Sequence, residues 1–268
     1  MKETNYVIPA VEKAVGVLEC LCASPSPMGV SELTRQLDLN KNMVFRLLQT
    51  LERQGWIIQE EGAKYRVSLR PFRHFSQVVD RMDVHQAAKS PLHTLWTDTG
   101  ESCYLAVRDG TRCLFVEHLD STRPVRVHGQ VGGRYRMHCC APGKVLLAYA
   151  PQHCVEQVLA EELEANTDAT ICDADRLGQV LRQVRSQGFA TDIEEFTRGM
   201  LCFAAPVFDA KMNVAGALGI TVLTLHHSRE TLLSILADPV LQAAKTASEI
   251  LGADMSHVPG LETVEAWQ

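Results

Sequence analysis

The sequence predicts an α+β fold in two units, an N-terminal winged helix-turn-helix and a C-terminal domain built on an antiparallel sheet. Three observations predict it. Apolar residues recur at helical spacing in three successive segments between Pro9 and Arg53, after which the period switches to two. Two strand-like runs flank the tight-turn sequence Asp109-Gly110-Thr111. A second pair of apolar runs, residues 202–208 and 214–223, precedes a long helical segment.

In the first unit, Val11, Ala14, Val15, Leu18, Leu21 and Cys22 give one apolar face to a helix over residues 9–23, which Ser24-Pro25-Ser26-Pro27 ends. Ser31 is the expected N-cap of a short helix through Gln36. Asp38-Leu39 makes a turn, and Asn40 caps a third helix in which Val44, Leu47, Leu48 and Leu51 follow the spacing of a buried stripe before Gly55 stops it. Residues 56–59 and 65–69 alternate large apolar with polar side chains around a turn at 60–64, the pattern of a β-hairpin. Pro71 closes the hairpin, and residues 72–88 read as a linker helix.

The second unit is expected to open near Pro91 with a helix to Thr99 that Gly100 caps. Strands over 101–108 and 112–119 come next, then an extended stretch over 123–138. Ala141-Pro142-Gly143 opens a helix toward Pro151, and amphipathic helices are expected over 154–164 and 174–187. The second hairpin comes after them, and residues 228–251 return to helical periodicity. These elements set the expected domain boundaries: 1–70 for the winged helix, 71–88 for the linker, 89–252 for the second domain and 253–268 for a tail. Residues 255–268, where the pattern is lost, are expected to be poorly ordered.

Composition narrows the class. At 268 residues, with 46% hydrophobic and 22% charged, the chain can build two cores and has no segment polar enough to force disorder. The opening Met1-Lys2-Glu3-Thr4-Asn5 lacks an apolar leader, and the longest apolar stretch, 214–225, is too short to span a bilayer, so a cytoplasmic protein without a membrane partner is expected. Nine cysteines at irregular spacing read as reduced thiols. The net charge of −6 is uneven: residues 1–70 hold nine Lys and Arg against eight Asp and Glu, so the acidic excess lies beyond them. A weakly positive first unit permits nucleic-acid binding without requiring it.

The third helix carries the two faces that a recognition helix needs, one apolar to seat it and one polar to enter the major groove. Opposite its leucine stripe stand Asn42, Phe45, Arg46, Gln49 and Arg53, with Lys41 at the N-terminal end. Arginine pairs bidentately with guanine, asparagine and glutamine pair with adenine, and phenylalanine can touch a thymine methyl. Lys41, with Lys64 and Arg66 of the hairpin, would serve phosphates. A double-stranded DNA operator is the expected partner. The alternative is a small-molecule sensor, or an enzyme, whose winged helix makes protein contacts.

Other chemistry finds less support. His138, Cys139 and Cys140, with His118, His128, Cys103 and Cys113, contain no pair at compact metal-ligand spacing, so no metal and no cofactor are expected. A cysteine nucleophile served by His138 lacks an evident Asp or Asn orienter. Ala141-Pro142-Gly143-Lys144 lacks the spaced first glycine and the hydroxyl residue of a phosphate loop. Asp192, Glu194 and Glu195 read as solvated or pocket-lining groups. No enzyme is expected. A homodimer or homotetramer is, because one recognition helix reads few base pairs and two-fold symmetry doubles the half-sites. The first helix and Phe72, Phe75, Val78 and Val79 are the candidate contacts.

From Val7 to Leu251 the sequence resembles the IclR family of bacterial transcription regulators. The segment from Ala10 to Leu21, Ser31-Glu32-Leu33, and the run Val44-Phe45-Arg46-Leu47-Leu48-Gln49-Thr50-Leu51 resemble its helix-turn-helix. Gly133-Arg134 with the run from Met137 to Ala148, and Gly188 to Glu195 followed by Gly199 and the run from Cys202 to Asp209, resemble its second domain. The resemblance implies a GAF-like effector domain, dimers or tetramers, and control of a catabolic operon. It departs at Ala141-Pro142, where members often have Ala or Gly before Gly-Lys, and at Gly219, where a small hydroxyl residue is common.

An anionic effector, a small organic or aromatic acid, is the expected ligand. Pro142 at the first helical position, followed by Gly143, is expected to leave the amides of Gly143 and Lys144 free, and a helix N-terminus favours negative charge. The opposite wall would be the strand carrying Gly219 and Thr221. The resemblance adds Ala141, Asp192 and Cys202 to the pocket, with Asp192 accepting from a ligand hydroxyl and Cys202 lining an apolar wall. Arg126, Arg134 or Arg136 would then pair with the ligand's carboxylate. The bland alternative is that Pro142-Gly143 only starts a helix, that Asp192 caps the next segment and that the arginines are solvated.

Overall fold

The computed structural model describes residues 7–71, 73 and 83–257. The chain forms two compact units, residues 1–78 and 79–268.

The first unit contains α1 (Pro9–Ala23), β1 (Met28–Gly29), α2 (Val30–Leu37), α3 (Lys41–Arg53), β2 (Ile57–Glu60) and β3 (Lys64–Val67). Asn40 caps α3 as expected, its Oδ1 accepting from the Met43 amide at 2.8 Å, and Gly55 turns the chain away at φ 73°. Ser31, by contrast, lies inside α2. The N-cap is Gly29, whose amide donates to Glu32 Oε2 at 2.6 Å, so a carboxylate within the first turn closes the helix end. Strand β1 carries no sequence signal, two residues being too few for a period. Met28 and Gly29 pair with Tyr65 and Lys64 and complete a three-stranded sheet in the order β1-β3-β2. Val17, Leu21, Leu33, Val44, Leu48, Ile57 and Tyr65 form the core under this sheet, while Leu47 and Leu51 are only half-buried at its margin.

The second unit opens with α4 (Asp83–Thr99), which runs straight through Pro91 instead of beginning there. Proline removes one backbone hydrogen bond from a helix interior. Here Val84, Ala87, Ala88, Pro91, Leu92 and Leu95 are all buried, and that apolar burial outweighs the loss. Residues 83–88 therefore belong to α4 and not to a separate linker, and the contacts expected at Phe72, Phe75, Val78 and Val79 lie outside the described residues.

Strands β4 (Ser102–Asp109), β5 (Arg112–Leu119), β6 (Arg134–Arg136), β7 (Ala190–Ile193), β8 (Met200–Phe208) and β9 (Val214–Leu223) make one antiparallel sheet in the order β6-β5-β4-β9-β8-β7. Of the expected extended stretch over 123–138, only β6 pairs with a neighbour. Helices α5 (Ala141–Ala148), α6 (Gln152–Ala160) and α7 (Ala174–Gln187) occupy the chain between β6 and β7. After β9 come α8 (Arg229–Thr231), a π-helical turn at Leu232–Leu236, and α9 (Ala237–Ile250). A short 3-10 turn, Met255–His257, packs Met255 against the core, in contrast to the poor order expected from residue 255 onward; residues 258–268 lie outside the described ones.

Side chains of β4 alternate between two cores. Cys103, Leu105 and Val107 pack with α4 and α9, whereas Tyr104 and Ala106 pack with α5, α6 and α7. The sheet is thus the middle of three layers, and its α5 face carries the candidate ligand cavity.

Leu48→Ala, which opens a hole at a position with 0% exposure, is expected to destabilise the first unit by about 2–5 kcal/mol in urea unfolding. Leu47→Ala, at a half-buried position, should cost well under that, and equal losses would contradict the packing described.

Candidate functional site

In the first unit, α3 presents Lys41, Asn42, Phe45, Arg46, Gln49 and Arg53 on its exposed face, while Val44 and Leu48 are buried beneath. Phe45 is 51% exposed, a large apolar ring in water among polar neighbours, which suits a surface that meets an apolar group such as a thymine methyl. Lys64 and Arg66 are exposed on β3, but Arg66 Nε donates to Glu60 across the hairpin, so part of its charge is already compensated.

In the second unit, one rung of the sheet assembles residues far apart in sequence. Asp192 of β7 is paired with Cys202 of β8, and Cys202 with Thr221 of β9. Cys202 Sγ and Thr221 Oγ1 lie 3.3 Å apart. These three, with Pro142 and Cys140 at the start of α5, line a cavity of about 110 Å³. Aromatic rings form its other walls. Tyr104 stacks on Phe115 at 5.0 Å, Phe115 meets Tyr135 edge-on at 5.2 Å, and Tyr135 meets Phe196 edge-on at 5.2 Å. His118 and His128 are on the wall as well, His128 hydrogen-bonded to Asp120 at 2.8 Å and His118 beside it at 3.2 Å.

Asp192 is the polar centre of this cavity. Its Oδ1 accepts from the amides of Glu195 at 2.7 Å and Phe196 at 3.2 Å, so it does cap the following turn. Its Oδ2, fully buried, has no partner among the described residues. Burial pushes its carboxyl up to about 6, against an ordinary 3.8, with Lys144 pulling down and Glu195 pushing up. Beside it, Lys144 Nζ donates to Glu195 Oε1 at 2.5 Å in an ion pair almost without exposure, and Glu195 Oε2 also lacks a partner among the described residues.

Pro142, Asp192, Cys202 and Thr221 are therefore brought together as expected, and the other effector candidates are not on the wall. Lys144 is committed twice: its ammonium binds Glu195 and its amide donates to Cys140 O at 3.0 Å. The Gly143 amide faces the Cys140 thiol. A Cβ on Gly143 would approach the Met137 carbonyl to 2.6 Å, so this glycine serves close packing at the helix start. Ala141 is buried in the core, off the wall, and its first-turn amide has no intrahelical acceptor. Arg126 is exposed and lies 3.8 Å from Asp120; Arg134 pairs with Asp109 and Arg136 with Glu164. Gly219 lies under Tyr104, where a Cβ would come within 2.5 Å of the tyrosine oxygen and 2.4 Å of the Phe203 carbonyl. Its missing side chain makes room for the ring that walls the cavity. Tyr104, Phe115, Tyr135, Phe196 and Met200 carry no sequence signal of this role, because they come from β4, β5, β6, β8 and a loop and share no local pattern.

A carboxyl raised in the folded state stabilises fully below the unfolded value and loses that contribution as pH rises through the folded one. Ionised Asp192 thus costs the native state roughly 3 kcal/mol at neutral pH. Asp192→Asn keeps the Oδ1 cap and removes this cost, so the stability of the variant relative to the parent should rise between about pH 4 and pH 7 in urea titrations. A difference that does not change with pH would refute the assignment.

Known proteins share this architecture. Residues 10–61 match the IclR helix-turn-helix domain, and residues 76–249 match the bacterial transcriptional regulator IclR C-terminal domain. The HTH-type transcriptional regulator KdgR of Escherichia coli is 31% identical over 245 residues, covering 91% of this chain and 93% of its own. BhcR of Paracoccus denitrificans is 32% identical over 248 residues, covering 92% and 88%. A solved structure of an IclR homologue from Microbacterium hydrocarbonoxydans, complexed with 4-hydroxybenzoate, superposes with TM-score 0.80 at 21% identity over 90% of this chain and 98% of that one. With both family domains present in order and relatives of this identity matched over nearly their full length, the chain belongs to the IclR family and is an HTH-type transcriptional regulator.

Proposed function

We propose that this regulator reads its operator through the exposed face of α3 and responds to a small organic or aromatic acid held in the cavity on the α5 face of the sheet. The observation that carries the ligand reading is the buried, unpartnered Asp192 Oδ2 inside an aromatic-walled cavity, since a buried polar oxygen without a hydrogen-bond partner is destabilising until a ligand shares a hydrogen bond with it. The acid head group belongs at the start of α5, where Cys140 and Pro142 are on the wall and the helix dipole favours negative charge. The 4-hydroxybenzoate bound to the homologue supports a planar acid of that size class. The regulator acts in the cytoplasm, where its operator is, and no catalytic step is assigned to it. Among the described residues no helix is long and apolar enough to cross a membrane.

Arg46→Ala should weaken binding to the region upstream of the protein's own gene by about 1–3 kcal/mol, with the fold intact, because it deletes one bidentate base contact. A footprint titration with unchanged affinity would remove α3 as the reader.

The operator-binding form is a homo-oligomer joined in part through α1. Val7, Ile8, Val11 and Val15 leave an apolar stripe 48% to 64% exposed, unusual for a small domain that ends its contacts with itself. Val11→Asp is expected to lower the mass seen by light scattering and to weaken operator binding together. A parent protein that is monomeric at micromolar concentration would overturn this.

A further inference from the structure

The cavity sets an acid a charge problem. Among the described residues on its wall there is one carboxylate, Asp192, and no lysine or arginine. The nearby cations are committed: Lys144 to Glu195 at 2.5 Å, Arg134 to Asp109 at 2.7 Å, Arg136 to Glu164. Asp192 and Glu195 share the single ammonium of Lys144, and each keeps one oxygen without a partner among the described residues. The buried cluster thus carries one more negative than positive charge before any ligand arrives. A carboxylate entering next to it would add a second, in surroundings where like charges repel far more strongly than in water. The N-terminal end of one helix, equivalent to about half a charge, does not balance that.

We propose that the effector acid enters this cavity together with one proton, which is taken from solvent onto Asp192 Oδ2 and donated from there in a hydrogen bond to the effector. The unpartnered oxygen becomes a donor, Glu195 keeps Lys144, and the net charge of the occupied cluster is the same as that of the empty one. The proposal rests on the acid reading of this cavity.

The groups facing Asp192 from each neighbouring element leave few competitors for the proton. Tyr104 on β4 and Cys202 on β8 are pushed up by burial, and Cys140 at the start of α5 by its hydrogen bond with the Cys113 thiol and then by burial, so all three stay protonated near neutrality. Thr221 on β9 does not titrate, and Lys144 and Glu195 are paired. Burial lowers His118, so that it is neutral near pH 7, and His138, beside Lys144 and Glu195, is lowered in the same way. His118 and His128 are the wall groups whose protonation could mimic the effect, with the same sign, and variants separate them from Asp192.

The test is isothermal titration of the full-length protein with benzoate, 4-hydroxybenzoate, lactate and malonate, from roughly pH 5.5 to 8, in phosphate and in Tris. For an acid that binds, affinity should be flat below about pH 6 and fall about tenfold per pH unit above it, and the heat difference between the two buffers should report close to one proton taken up per site at the alkaline end. Asp192→Asn should abolish the slope; His118→Gln and His128→Gln should keep it. Acid affinity independent of pH with no proton uptake overturns the proposal while leaving the acid reading in place. A slope that survives Asp192→Asn and vanishes with either histidine overturns it as well. If none of the four acids binds at any pH, the acid reading fails and the proposal fails with it.

Discussion

Strand register is the constraint on which the second unit depends. Asp192, Cys202 and Thr221 are neighbours only because β7, β8 and β9 pair in one alignment, Asp192 opposite Cys202 and Cys202 opposite Thr221. Side chains alternate along a strand, so a slip of one residue would send Asp192 to the face that packs against α4 and α9, where nothing could satisfy it. The aromatic wall is held by the same register. Tyr104 pairs with Gly219, and the absence of a Cβ there is what lets the ring lie across β9. The space that a side chain at 219 would take is filled by a phenol from the adjoining strand.

Beneath the cavity lies a second constraint, the Lys144–Glu195 pair. Buried ion pairs seldom add net stability, since desolvation of both charges offsets their attraction. Here the pair joins α5 to the turn after β7, and the same turn is held by Asp192 Oδ1 through the amides of Glu195 and Phe196. Thr167 and Thr170 add hydroxyls to the carbonyls of Glu194 and Glu195. The carboxylate proposed to meet the ligand and the ammonium that anchors α5 therefore act on one short segment, so a change at the first would reach the second without any intervening element.

Much of this is legible in the sequence, and the failures have physical causes. Helix α3, with its Asn40 cap, and α7 over residues 174–187 are long amphipathic segments whose apolar spacing and end signals agree. Helix α2 begins earlier than Ser31 because Glu32 closes its end from within. Pro91 looks like a boundary and is not one, since local propensity yields to the burial of the face it lies on. In the site, the sequence and the family resemblance together name Pro142, Asp192, Cys202 and Thr221, which the structure gathers on one cavity, and the arginines, which it leaves off that wall. Charge complementarity read along a chain cannot tell which carboxylates already hold each guanidinium.

Those arginines also bear on how the ligand's charge is met. An acid-binding pocket is usually imagined with a cation at its back, and the residues at 126, 134 and 136 suit that picture by their chemistry alone. Two pair with Asp109 and Glu164 and the third is exposed beside Asp120, while the cavity wall offers a carboxylate instead. A ligand shifts a conformational equilibrium only by the difference in its affinity for the two states. If the charge of the acid were met by a fixed arginine, much of its binding energy would be common to both states. On the proposal that Asp192 is the contact, binding would require a change in protonation at the turn that Lys144 ties to α5, and the affinity difference would lie at the joint between the ligand and the rest of the domain.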